Sequence, residues 1–462
     1  MTSMVKNKRM IWILVAVAAV VVGVLLVFLS RDSNEKGSTE MGASADYNID
    51  LELDEQNRFH ISTEIEVLNE SEEAFEDLGF YLVPNAINSQ ELSELAQEAA
   101  EIAVNSVKQG DRELAYNLEN NELLIELENA LEPENRQQVV IDYTLQIPRD
   151  GMRLSQVGDN YFLAQWYPML AQYDNGWDIE DFDMLGESYH TGFGNFEVSY
   201  SLPKEYFVAS SAIEGNIEPS SSGTVKGERI KDFYVAFLNT EEWLHESVQA
   251  SDTVLRLFTP IDQDFLDENI VMAKAAYTFF EENIGDNPFP ELDIIANDGY
   301  MEYPNVIEVA KTRDALDEVL VHEIAHQWFY YIVGNDPYED AWADESLTEF
   351  AASIFLADYY NDEQYGFSSA QDFAASYPTA NYVNLPLEKF NEGSYASTVY
   401  GEAPLLLRDF FNERGGQEEA LEFLSAYYQE FQFKNVNTPE FKEFFIDYYG
   451  EEQRKFLDSW LK

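Results

Sequence analysis

Two of the chain's five histidines stand four residues apart, His322 and His326, in the stretch LDEVLVHEIAHQWFYYIVGNDPYEDAWADESLTEF that covers 316–350. Leu316, Val319, Leu320, Ile324 and Trp328 recur at spacings of one, three and four with no proline among them. That pattern predicts a helix, with Gly334 as its stop. Residues four apart on a helix share one face, one turn above the other. Two imidazoles so placed can bind one zinc ion. Glu323 falls on the adjoining strip, where it cannot easily ligate the same ion but reaches a water there as general base. A tetrahedral catalytic zinc needs a third protein ligand and an open position. After a turn at Gly334–Asn335–Asp336–Pro337, a second apolar-periodic run, AWADESLTEFAASIFLADYY, starts near Trp342. It places Glu345 in its first turn, with eighteen residues between it and His326. An antiparallel helix after that connection returns the carboxylate to the metal. The alternative is a buried, hydrogen-bonded histidine pair without an ion.

HEIAHQWF followed by WADESLTEF resembles the HExxHQWF…WLNEGFAEY signature of the aminopeptidase N family of zinc metallopeptidases, the gluzincins. Upstream, GYMEYP (299–304) is similar to that family's GAMEN exopeptidase motif. Downstream, VYGEA (399–403) is similar to its VYxKGA segment, and the order and spacing of all three fit. The resemblance implies one Zn2+ on His322, His326 and Glu345, with Glu323 as base and peptides as substrates. It implies Tyr400 as the donor to the oxyanion, with Tyr395 as runner-up. Glu302 would bind a free α-amine, and Gly299 and Met301 would shape the backbone wall beside it. Two positions depart from the family. The motif's asparagine is Tyr303 here. The family's Q-x-E segment aligns with Gln165–Trp166–Tyr167, so Gln165 is left as a substrate contact and the second amine-binding carboxylate is missing. Glu349, one turn after Glu345, either orients a zinc ligand or is a solvated glutamate. Asp344 occupies the family's usual asparagine position, and His190, in GESYHTGFGNF, reads as structural.

These residues need a scaffold, and 462 residues suffice for two or three domains with real cores. There is no cysteine, which excludes disulfides, thiolate metal sites and thiol nucleophiles. The formal net charge of −60, from 87 acidic against 27 basic residues, excludes a nucleic-acid partner. Aromatic content of 14% and apolar content of 45% argue for packed cores over disorder. The acidity then belongs to a self-repelling surface that works best when salt screens it, as in a salt-adapted source.

Residues 1–9 carry Lys6, Lys8 and Arg9, and 10–29 is an uncharged, almost wholly apolar run. At about 1.5 Å per residue it spans a bilayer core, and its basic flank keeps the N-terminus in the cytoplasm. The expectation is a single-pass anchor with the rest of the chain outside the cell. A cleaved signal peptide is the alternative. Residues 30–46 read as a flexible linker. From 47 to 250 the pattern is mostly alternating strands such as FHISTEIEVLN and QQVVIDYTLQIP, with turns at Asn120–Asn121, Pro148–Gly151, Gly192–Gly194 and Ser220–Gly223. QELSELAQEAAEIAVNSV interrupts them as a helix whose end also reads as a strand. LGFYLVPNAI and QWYPMLAQYDNGWD resemble segments of the family's N-terminal β-saddle domain. The part from 251 to 462 opens with strand, helix and strand, and is mainly helical after 360. The expected fold is multidomain α+β, an antiparallel β-saddle-like domain followed by a thermolysin-like catalytic domain with a small sheet. The chain ends soon after that domain, which implies a more open cleft than in longer family members. The expected activity is zinc-dependent removal of N-terminal residues from peptides outside the membrane. The alternatives are a zinc endopeptidase, a peptidase of narrow specificity, and a catalytically silent surface-binding protein.

Overall fold

The computed structural model describes residues 42–87, 100–151, 153–215, 217–312, 316–377 and 382–462. The apolar run 10–29 lies outside them. Among the described residues no helix is long and apolar enough to cross a membrane.

The N-terminal part is built on period-two alternation. In Ala43–Leu53, Ile49, Leu51 and Leu53 point inward while Asp50 and Glu52 face water. This strand runs antiparallel to Phe59–Asn69, which pairs in turn with Arg136–Gln146. On its other side lies Gly194–Ser210, in parallel register. The resulting ten-stranded sheet shares one core with a four-stranded sheet containing Phe75–Tyr81 and Glu122–Leu131.

One open reading is settled here and one expectation changes. Of the stretch 90–107, residues 90–99 lie outside the described residues, and its end belongs to a strand, Glu101–Gln109. Ile102 and Val104 there pair with Leu145 and Tyr143, so pairing with a long neighbour overrides the helix-forming composition. The predicted turn at Ser220–Gly223 instead opens the strand Ser220–Ile230. Gly223 sits opposite Tyr200, whose ring occupies the space a Cβ would need, so the glycine marks close packing within a strand.

The C-terminal part holds a five-stranded sheet, in the order Leu244–Ala250, Thr253–Thr259, Glu291–Ala296, Val306–Val309, Met301–Tyr303. The first helix, Gln263–Asn283, starts at Asp262, whose carboxylate accepts the Phe265 N–H at 2.8 Å. It stops before Gly285, as its sequence predicts. The histidine-bearing helix is Leu316–Ala325 and ends well before Gly334. One more helical bond, His326 N–H to the His322 carbonyl at 3.2 Å, carries the turn through His326. The chain then breaks into turns, and Trp328 to Val333 are all buried. Gly334 pairs in a short parallel strand with Asn435, whose side chain fills the place of a Cβ. The return helix is Trp342–Tyr360, buried without interruption from Trp342 to Leu356.

Candidate active site

The side chains of His322, His326 and Glu345 converge at the crossing of the motif helix and the return helix. The two Nε2 atoms are 3.0 Å apart, and each lies 3.2 Å from Glu345 Oε2. Donors bound to one tetrahedral zinc at about 2.0–2.1 Å stand about 3.3 Å from one another, so the triangle fits such an ion. The far side of each ring is fixed. His322 Nδ1 faces Glu349 Oε2 at 2.9 Å, and His326 Nδ1 faces the Phe329 carbonyl at 3.0 Å. Thr348 donates its hydroxyl to that carbonyl at 3.1 Å. With both Nδ1 protons committed outward, both Nε2 lone pairs point at the shared space, the tautomer a metal requires. Burial alone would lower the His322 imidazole, but hydrogen bonds to Glu345 and Glu349 outweigh it and raise it well above its usual range. A divalent cation displaces the proton held in this way. Glu349 therefore touches a histidine and is buried; it is not a solvated helix-surface glutamate.

Glu323 points into the same space. Its Oε2 is buried with no hydrogen-bond partner, and burial pushes the carboxyl up to about 8, against the pull of His322 and with Glu345 adding to the rise. A carboxyl so placed exchanges protons near neutral pH.

Tyr400 lies on a π-helical turn, Ala396–Glu402, with its ring 5.7 Å from that of His322. The turn is tied to the return helix by Ser346, whose hydroxyl donates to the Val399 carbonyl at 2.6 Å. Burial, with Glu345 adding to it, raises the Tyr400 hydroxyl well above its usual range, so it remains a proton donor. Tyr395 packs on Tyr400 at 5.7 Å, and its own hydroxyl is buried without a partner.

The strand Met301–Tyr303 forms the edge of the five-stranded sheet and pairs only with Val306–Val309 among the described residues. Alternation decides what each residue does. Met301 and Tyr303 pack into an apolar cluster, where Tyr303 stacks on Tyr234 at 4.4 Å. Glu302, between them, faces the histidines, with a carboxylate oxygen within 4.8 Å of donor atoms of Glu323 and His326. Burial, then Glu187 and Glu345, raises Glu302 well above the carboxylate range. Gly299 is set by Glu308, whose side chain occupies the space of a Cβ there. Gln327 joins strand to helix, accepting the Asn305 N–H at 2.9 Å and donating to the Tyr303 carbonyl at 3.2 Å.

Gln165 is buried in a left-handed conformation (φ 51°), and neither end of its amide has a partner. Asp344 is buried, and burial, with Glu345 adding to it, raises its carboxyl well above the usual range. His190 has a structural setting. Its Nδ1 meets Asp178 at 2.9 Å and its Nε2 accepts from Asn435 at 2.9 Å, tying the N-terminal part to the last third of the chain. Sequence reasoning passed over Glu187. It enters from an irregular segment, with a carboxylate oxygen within 4.8 Å of oxygens of Glu302 and Glu345. No periodicity marks that segment; the only available signal was an acidic residue three before His190 in a motif-like stretch.

Two helices thus bring two histidines and a glutamate together beside an edge strand. Residues 293–460 match the Peptidase family M1 domain. Leukotriene A-4 hydrolase of Xenopus laevis is 31% identical over 169 residues, 33% of this chain and 27% of that protein. Mitochondrial aminopeptidase 2 of Saccharomyces cerevisiae is 25% identical over 300 residues, 55% of this chain and 31% of that one. The chain thus aligns with only about a quarter to a third of these relatives' lengths. The crystal structure of an M1 zinc metallopeptidase from Deinococcus radiodurans superposes with a TM-score of 0.62 at 14% identity, covering 92% of this chain and 95% of that one. Yeast LTA4 hydrolase in complex with bestatin gives 0.65 at 16% identity, covering 93% and 70%. These likenesses show the two-part fold, a mostly β N-terminal region and a helical C-terminal domain with a small sheet.

Proposed function

We propose that this chain is a zinc metallopeptidase that removes N-terminal residues from peptides. One observation carries the reading. The unpartnered Glu323 oxygen lies beside three converging metal donors, next to an open edge strand that presents a buried glutamate. His322, His326 and Glu345 hold the ion, which supplies Lewis acidity when bound. An extended peptide lies along Met301–Tyr303 and adds to the sheet through its backbone. Glu302 receives the free α-ammonium, and Gln165 offers its unpaired amide to the same ligand. Glu323 takes a proton from the attacking water at its free oxygen and passes it to the leaving amine. Tyr400 donates its hydroxyl to the developing oxyanion, with Tyr395 packed behind it. The apolar run 10–29 and its basic flank support a single-pass anchor that places this site outside the cell.

Tyr303 in place of the motif's asparagine, and Tyr167 in place of a carboxylate, favour a second reading, an endopeptidase. A peptide series with free and N-acetylated termini, incubated with the zinc-loaded protein and followed by mass spectrometry, separates the two. Stepwise loss of single residues from free peptides alone is expected. Internal cleavage of both forms would replace the aminopeptidase with an endopeptidase, and no cleavage of either would leave a peptidase of narrow specificity or a silent binding protein, which metal analysis with Glu323→Gln separates.

A further inference from the structure

We propose that Glu187 is a second carboxylate that grips the substrate's α-ammonium group, supplied from a different segment than the Gln165–Trp166–Tyr167 stretch that lacks one. The inference rests on the aminopeptidase reading and names what recognises the free terminus. Glu187 is 4% exposed, so water is not its partner. Oxygens of Glu187, Glu302 and Glu345 lie within 4.8 Å of one another, three buried carboxylates at one point. Like charges so close repel and need a cation among them. The zinc answers Glu345. Glu187 is held from behind by Arg153, whose Nη2 lies 3.0 Å from Oε1 and whose Nη1 donates to the Gly186 carbonyl at 3.1 Å. Arg153 thereby fixes the position of Glu187. The demand left on Glu302 and Glu187 is for one more compact cation with several donors. An ammonium group offers three N–H donors and fits between two carboxylates.

The test uses the full zinc-loaded chain and two probes, L-leucinamide and N-acetyl-L-leucinamide, with binding measured by calorimetry and zinc content by metal analysis. Wild type is expected to bind leucinamide in preference, and both Glu302→Gln and Glu187→Gln to weaken that binding by about 30-fold, the worth of one charge-assisted hydrogen bond. Binding of the acetylated probe is expected to stay the same. In peptide cleavage the Glu187→Gln loss is expected in KM, with kcat changing less. If Glu187→Gln fails to fold, Glu187→Asp draws the charge back towards Arg153, and a selective loss of about tenfold or less is expected. Equal loss for both probes would make Glu187 merely structural and overturn the proposal. So would an unchanged preference in the Glu187 variant while Glu302→Gln loses it, which leaves the aminopeptidase reading intact. Wild type without preference for the free amine would remove both readings together. A second zinc equivalent in wild type that Glu187→Gln abolishes would make the carboxylates a metal site and overturn the proposal.

Discussion

Two groups of acidic side chains are buried in this molecule, and they settle their charge in opposite ways. Around Arg256, on the strand Thr253–Thr259, every carboxylate is answered. Asp293 accepts from the guanidinium at 2.7 Å, Glu214 accepts from it as well, and Glu291 lies 3.4 Å from it. Glu291 also takes the N–H groups of Glu214 and Gly215 at 2.8 and 2.7 Å. This group joins the N-terminal part to the catalytic sheet. In the second group, Glu187, Glu302, Glu323 and Glu345 converge with Arg153 on one flank and a bare oxygen on Glu323. The first is closed and holds two layers together. The second has an unmet need for positive charge, which the proposed metal ion and substrate amine would answer.

Neutralising one member of each group should separate these roles. Glu323→Gln is expected to lower kcat by about a thousandfold, the scale of general acid–base chemistry. Zinc content and melting temperature should not fall, because the substitution removes a buried charge that had no partner on one oxygen. A melting temperature that drops sharply would put Glu323 in the closed class. Arg256→Met is expected to cost about 3–5 kcal/mol of stability in denaturant unfolding, since it strands buried carboxylates. If it costs less than about 1 kcal/mol, the network is not what joins the two parts.

Glu308, which pairs with Met301 of the edge strand, sharpens the contrast. Burial raises its carboxyl from 4.5 to about 7, while hydrogen bonds from Tyr234 and Asn297 hold it down. Its folded-state affinity for the proton is thus higher than in the unfolded chain. The stability it contributes is full below about pH 4.5 and lost as pH rises through 7. The loss amounts to roughly 3 kcal/mol. Glu308→Gln is expected to flatten the decline between pH 5 and 8 in urea unfolding. An unchanged slope would assign the decline to other carboxyls.

What could be read from the chain follows from how local each signal is. His322, Glu323 and His326 sit within one helical turn, and the apolar run beginning at Trp342 was long enough to place Glu345. Strand alternation was equally direct in Phe59–Asn69. Signals whose meaning depends on a distant partner were misread. Gly334 and Gly223 look like punctuation, yet each exists because a side chain from elsewhere, Asn435 or Tyr200, takes the Cβ space. Gly299, expected in the substrate wall, also makes room for Glu308. The end of the stretch 90–107, which read as helix or strand, is decided by its pairing with Arg136–Gln146. Glu187 was invisible because an irregular segment carries no period, and its value lies in where Arg153 holds it.

The hydrogen bond from Ser346 to Val399 has a consequence for how the site keeps its dimensions. Glu345 and Tyr400 are separated by more than fifty residues of chain, but a hydrogen bond between their immediate neighbours ties their elements together. The return helix and the π-helical turn therefore move as one plate, so thermal drift displaces ligand and tyrosine together.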